Sequence, residues 1–106
     1  MNIIFSREAA QELAKKFIVL ELETFKVDNK LLETFCVVSA DQIPLAEIPT
    51  LEASKKLHDQ LIKNLNEKNY NFCLNAIEHL KGKFGGELDS FYHTIEERAN
   101  NEITSS

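Results

Sequence analysis

Apolar residues recur every three or four positions in four stretches of this chain and every second position in one, and the change of period divides it into elements. Ala9, Ala10, Leu13, Ala14 and Phe17 keep helical spacing behind Ser6, a residue type that caps helices, so a helix is expected to begin at residue 7. Continuing it past Lys16 would place Glu21 and Thr24 on the buried stripe. The run LELETFKV alternates instead, which is the period of a strand. Asp28 and Asn29 both tolerate positive φ and suit a two-residue primed turn, so an antiparallel β-hairpin follows.

With those two residues as the loop, the expected register pairs Val27 with Lys30, Phe25 with Leu32, Leu22 with Phe35 and Leu20 with Val37. Leu20, Leu22, Phe35 and Val37 then share a buried face, and Glu21 and Glu23 lie on the wet one. Phe25 and Leu32 fall on the glutamate side, which calls for strong twist, a bulge, or an apolar patch facing a partner. A hairpin alone is marginal. A third strand is expected from Ile3 to Phe5, from Ile43 to Ile48, or from a second subunit.

Two prolines mark Ser39 to Pro49 as a connector that carries Ile43, Leu45 and Ile48. Held extended by Pro44 and Pro49, it forms either a strap burying Ile43 and Ile48 or part of an interface. Thr50 is the expected cap of a helix with Leu57, Leu61, Ile62 and Leu65 on one side and Lys55, Lys56, Asp59 and Lys63 on the other. An asparagine-rich hinge at 66–69 leads to a helix with Cys73, Ala76, Ile77 and Leu80 inward, antiparallel to the previous one. Glycines at 82, 85 and 86 end it, and Leu88, Phe91, Tyr92, Ile95 and Ala99 define the last helix. Residues 101–106 are expected to fray. The fold class is α+β: an N-terminal helix, an antiparallel hairpin with a possible third short strand, then three C-terminal helices. All 106 residues form a single domain.

Composition narrows the function. With 43% apolar and 27% charged residues, three glycines and two prolines, disordered, collagenous and disulfide-scaffold classes are excluded. A net charge of −5 with both signs interspersed lacks the clustered basic surface that phosphate contacts require, so no nucleic-acid partner is expected. Apolar runs such as Phe17 to Leu20 fall far short of the roughly 20 residues that span a bilayer, and no membrane partner is expected. No secretory leader is evident in MNIIFSREAA, and a cytoplasmic location with Cys36 and Cys73 as free thiols is the corresponding expectation.

Three chemistries are weighed. His58 and His79 lie at similar distances from the hinge, where Asp59, Glu78 or Cys73 would complete a metal site, but no chelating spacing joins them and no metal or cofactor is expected. His93 shares a helix face with Asp89, Glu96 and Glu97, which suits a carboxylate-oriented base and equally a solvated charged face. The KGKFGGE loop offers amides at Gly85 and Gly86 beside Lys81 and Lys83, a candidate anion nest that also reads as a helix stop. The remaining candidate is a protein-contact surface from Phe25, Val27 and Leu32 at the hairpin tip with Ile43, Leu45 and Ile48 of the connector.

The segments FCVV, IPLAEIPTLE and NFCLNAIEHLKGKFGGELDSFYHTI resemble small accessory proteins of T4-like marine tailed bacteriophages, over residues 20 to 96. The resemblance rests on no catalytic signature. It implies a small accessory protein of phage or host and no site residues. The expected function is non-catalytic: an accessory protein that forms a homodimer and engages a protein partner. The alternatives are a small metal-dependent or histidine-based enzyme, and a binder of a phosphate-bearing ligand at the glycine loop.

Overall fold

Asp28 and Asn29 take φ values of 50° and 65°, the pair of left-handed conformations that a type I′ turn demands, and the chain reverses there. The computed structural model describes residues 1–105. Its elements run β1 (Asn2–Ile4), α1 (Arg7–Leu13), β2 (Ile18–Glu21), β3 (Phe25–Val27), β4 (Lys30–Leu32), β5 (Phe35–Val38), α2 (Leu51–Asn66), α3 (Tyr70–Leu80) and α4 (Asp89–Ser105). The class is α+β, with a strand ahead of the first helix.

At the tip, Phe25 faces Leu32 and Val27 faces Lys30, as the two-residue turn requires. At the root the register is one residue off the expected one: Leu20 faces Cys36, not Val37, and Glu21 faces Phe35. Between the two halves, residues 22–24 oppose only 33 and 34, so the first arm carries a one-residue bulge. The bulge has a packing cause. It keeps Leu20 and Leu22 on the same face as Cys36 and Val38, and all four are buried in the core. Phe35 is displaced to the opposite face, where the guanidinium of Arg7 lies 5.2 Å from its ring centroid.

β1 pairs antiparallel with the free side of β5, giving the order β1-β5-β2, so the third strand comes from the N-terminal candidate, shifted one residue from Ile3 to Phe5 to Asn2–Ile4. On one face Leu20, Leu22, Cys36 and Val38 join Leu61, Leu65, Ile77, Leu80, Leu88, Tyr92 and Ile95 in a single core. On the other face lies α1, capped at Ala9 N by the Ser6 hydroxyl (3.2 Å). Only Ala10 of α1 is buried, and Ala14 and Phe17 are exposed, because the helix ends at Leu13 and lies on the sheet by a single short side.

The connector is wound, not extended. Two short 3-10 turns cover residues 40–42 and 45–50, the first held by the Ser39 amide donating to Gln42 Oε1 at 2.9 Å. Winding turns Ile43 inward and Leu45 and Ile48 outward. Thr50 precedes α2 without capping it, since its hydroxyl donates back to the Glu47 carbonyl at 3.2 Å. The asparagine hinge stands where expected: Asn69 returns two hydrogen bonds to Asn64, and α2 and α3 lie against each other. Residues 101–105, expected to fray, continue α4, and residue 106 lies outside the described residues.

Candidate protein-contact site

The histidines divide by where their helix faces point. α2 turns Leu61, Ile62 and Leu65 inward, and the same stripe carries His58 to complete burial. Its Nε2 lies 2.6 Å from the Glu21 carbonyl and its Nδ1 2.9 Å from the Tyr92 hydroxyl. A carbonyl only accepts, so Nε2 carries the proton and Nδ1 accepts from Tyr92. Burial pushes the His58 pKa down and that of Tyr92 up, which holds both neutral. With both ring nitrogens engaged, His58 ties β2, α2 and α4 together and leaves no atom for a metal or substrate. His79 and His93 are exposed on their own helices, and His93 pairs with Glu97 (3.0 Å) and Glu96 (4.0 Å). The structure therefore does not bring His58 and His79 to one site. No group of three or more His, Cys, Asp or Glu side chains among the described residues is placed to hold a metal ion. Cys36 and Cys73 are fully buried, and burial raises both thiols, that of Cys36 to about 11.

The glycine loop is occupied from within. The Gly82 amide donates to Asp89 Oδ1 at 2.8 Å, and the Phe84 amide donates to Glu47 Oε1 at 2.9 Å. Gly86 N closes onto the Lys83 carbonyl at 3.0 Å. Lys81 is bound to Glu96 at 2.8 Å, while Lys83 is half-buried beside His79. Two carboxylates of the protein thus sit where an external anion would approach. The loop's shape serves packing: Phe84 takes φ 56° and is completely buried. A Cβ at Gly85 would collide with the Gln42 carbonyl.

The surface candidates separate as well. Ile43 is 6% exposed and belongs to the core, which corrects its reading as an interface residue. The expected burial of Ile48 under a strap is corrected in the other direction, because Ile48 and Leu45 face outward. Phe25 and Val27 are exposed, and Leu32 is half-buried.

Beside Phe25 the sheet overhangs α4 and leaves an open groove of about 380 Å³. Its walls are Met1, Ile3 and Phe5 from the β1 segment, Leu22 and Phe25 from the hairpin, and Phe91 from α4. The polar groups around it are engaged with one another. Arg98 Nη2 binds Glu23 Oε1 at 3.0 Å, which raises the guanidinium pKa. Thr34 donates to the Glu23 carbonyl at 2.6 Å, and Thr94 to the Ser90 carbonyl at 3.0 Å. What the groove offers is apolar, with Met1, Ile3, Phe5 and Phe25 between 42% and 60% exposed.

Sequence reasoning missed Met1, Phe5 and Phe91 as members of this surface. The signal lay in MNIIF, whose alternation puts Met1, Ile3 and Phe5 on one side of a strand. Phe91, one of the apolar residues that define the last helix, is half-buried at the edge of the core.

No helix among the described residues is long and apolar enough to cross a membrane. Compared with protein-family models, with curated proteins and with solved structures, the chain matches none.

Proposed function

We propose that this chain is a small, non-catalytic accessory domain that acts in the cytoplasm by protein contact, and that it self-associates through the groove between β1, the hairpin and α4. The observation that carries the reading is an apolar groove whose polar neighbours already satisfy one another. An enzyme site gathers titratable groups with unmet partners. The titratable groups nearest this groove, Glu23 and Arg98, hold each other in a bidentate pair. Contact surfaces instead present an apolar centre with a polar rim, as here.

The test is the oligomeric state. Light scattering is expected to give a dimer mass at micromolar concentration and the monomer mass for the double variant Phe5→Asp, Phe25→Asp with unchanged far-UV circular dichroism. A wild-type chain that stays monomeric at high micromolar concentration would overturn the self-association, and so would a double variant that still dimerises.

A further inference from the structure

The three-stranded sheet has two outer edges, and they are treated differently. Leu22 N donates to the Thr34 carbonyl at 2.8 Å, which fixes the parity of the ladder. The backbone groups of Thr34, Cys36 and Val38 turn toward β2, and those of Phe35 and Val37 toward β1. Val19 and Glu21 therefore face away from β5 on the β2 edge, where the Glu21 carbonyl is taken by His58 of α2. On the β1 edge, Asn2 and Ile4 pair with Val37 and Phe35. The N–H and C=O of Ile3 are left pointing outward. Edge strands are normally blunted by charged side chains, proline or a bulge. The hairpin tip has Lys26 and Lys30, whereas the MNIIF segment has neither a charged side chain nor a proline.

We propose that this edge pairs antiparallel with the same edge of a second copy, across a two-fold axis at Ile3. The proposal rests on the self-association put forward above and assigns it a surface. The edge is its own complement: with Ile3 opposite Ile3 of the second copy, Met1 comes opposite Phe5, and the outward N–H and C=O of each Ile3 meet those of the other. The two sheets become one of six strands, in the order β2-β5-β1-β1-β5-β2. Met1, Ile3 and Phe5 lie on the same face, so the cross-strand neighbours across the axis are all apolar. Area supports a second copy as the occupant. At ~150–250 Å² for a large side chain, the exposed parts of Met1, Ile3, Phe5 and Phe25 come to roughly 400 Å² per protomer, about half of the ~800 Å² that a standard interface takes from each partner. The paired backbones and the opposing groove wall supply the remainder.

Two variants of the full chain test it. Ile3→Pro removes an outward N–H that no intramolecular ladder uses, and the dimer mass is expected to fall to half with the circular dichroism spectrum unchanged. Ile3→Cys is expected to form an intermolecular disulfide on mild oxidation, since Cys36 and Cys73 are buried, while Leu31→Cys at the hairpin tip stays uncrosslinked. The crosslink decides the matter if Ile3→Pro fails to fold. A dimer that survives Ile3→Pro, or that crosslinks through Leu31→Cys and not Ile3→Cys, would overturn this surface and leave self-association standing. A wild-type chain that is monomeric would remove both.

Discussion

The two halves of the hairpin are built from the same kinds of residue and stand in opposite surroundings. At the root, Leu20 and Leu22 are 1% and 4% exposed, and at the tip Leu31 is 74% exposed. The one-residue bulge at 22–24 separates them. Below it, helices α2, α3 and α4 cover the sheet and His58 bonds to the last carbonyl of β2. Above it, β3 and β4 form their own two-stranded ladder, separate from the three-stranded sheet, and an open groove lies between Phe25 and α4. Apolar content therefore does not define the core of this protein; cover does, and the bulge decides which side chains receive it.

The contrast predicts unequal costs for similar truncations. Tyr92→Ala removes a fully buried ring and leaves His58 Nδ1 without its donor, so a loss of about 4 kcal/mol is expected by urea unfolding. Leu31→Ala at the tip is expected to change stability by less than about 0.5 kcal/mol. Comparable losses in the two variants would break the comparison.

The glycine loop sharpens it on the backbone side. Gly85→Ala meets both a positive φ and the Gln42 carbonyl, and a cost of about 2–3 kcal/mol is expected. Gly82 has φ 82° and open space around it, so Gly82→Ala carries the conformational cost alone, about 1 kcal/mol. Equal melting shifts for the two would show that the close approach to Gln42 contributes nothing.

A pH effect comes next in size. The folded-state pKa of His58 lies below its ordinary 6.5 because burial disfavours the charged ring. The unfolded chain then binds a proton below that pH which the fold refuses, so the His58 contribution is complete above pH 6.5 and declines as pH falls. The limiting slope is about 1.4 kcal/mol per pH unit. Urea midpoints measured from pH 7 down to pH 5 are expected to fall in the wild type, and the fall should be shallower in His58→Gln. Identical slopes would show that His58 is not the group. The smallest effect belongs to the tip: Asn29→Gly gives the type I′ turn its preferred residue and should add about 0.5 kcal/mol, read as a raised melting temperature.

The legible elements are those where a period is unbroken over several turns. α2, the asparagine hinge, α3 and the inward face of α4 follow from the spacing of Leu61, Leu65, Cys73, Ala76, Ile77, Leu80, Tyr92 and Ile95, each buried as its period requires. The primed turn followed from two residues that accept positive φ. The register at the root did not, because FCVV is apolar at every position and so carries no alternation to say whether Phe35 or Cys36 faces the core. The winding of the connector was hidden for a related reason: proline excludes a regular α-helix, yet fits the short turns around Pro44 and Pro49 as readily as an extended strap. His58 was visible as a histidine on the second helix, level with His79 across the hinge. Its partners were not, since Glu21 and Tyr92 lie 37 and 34 residues away and only the assembled layers bring them within bonding distance.

The strand order has a consequence in time. β5 is the central strand, and its partner β2 reaches it through the β3–β4 ladder, whose closure around a two-residue turn takes ~1–10 µs in isolated hairpins. β1 reaches the same strand from more than thirty residues upstream, after the chain has passed through α1 and the whole hairpin. The loop-entropy cost of that contact is met only once the hairpin already exists as a template. β1 is therefore expected to be the last strand to zip and the first to open, so that in a monomer the amides of Asn2 and Ile4 should exchange with solvent ahead of those of Leu20 and Cys36. An edge that is late to form and quick to open is also the one whose lifetime a second copy would lengthen most.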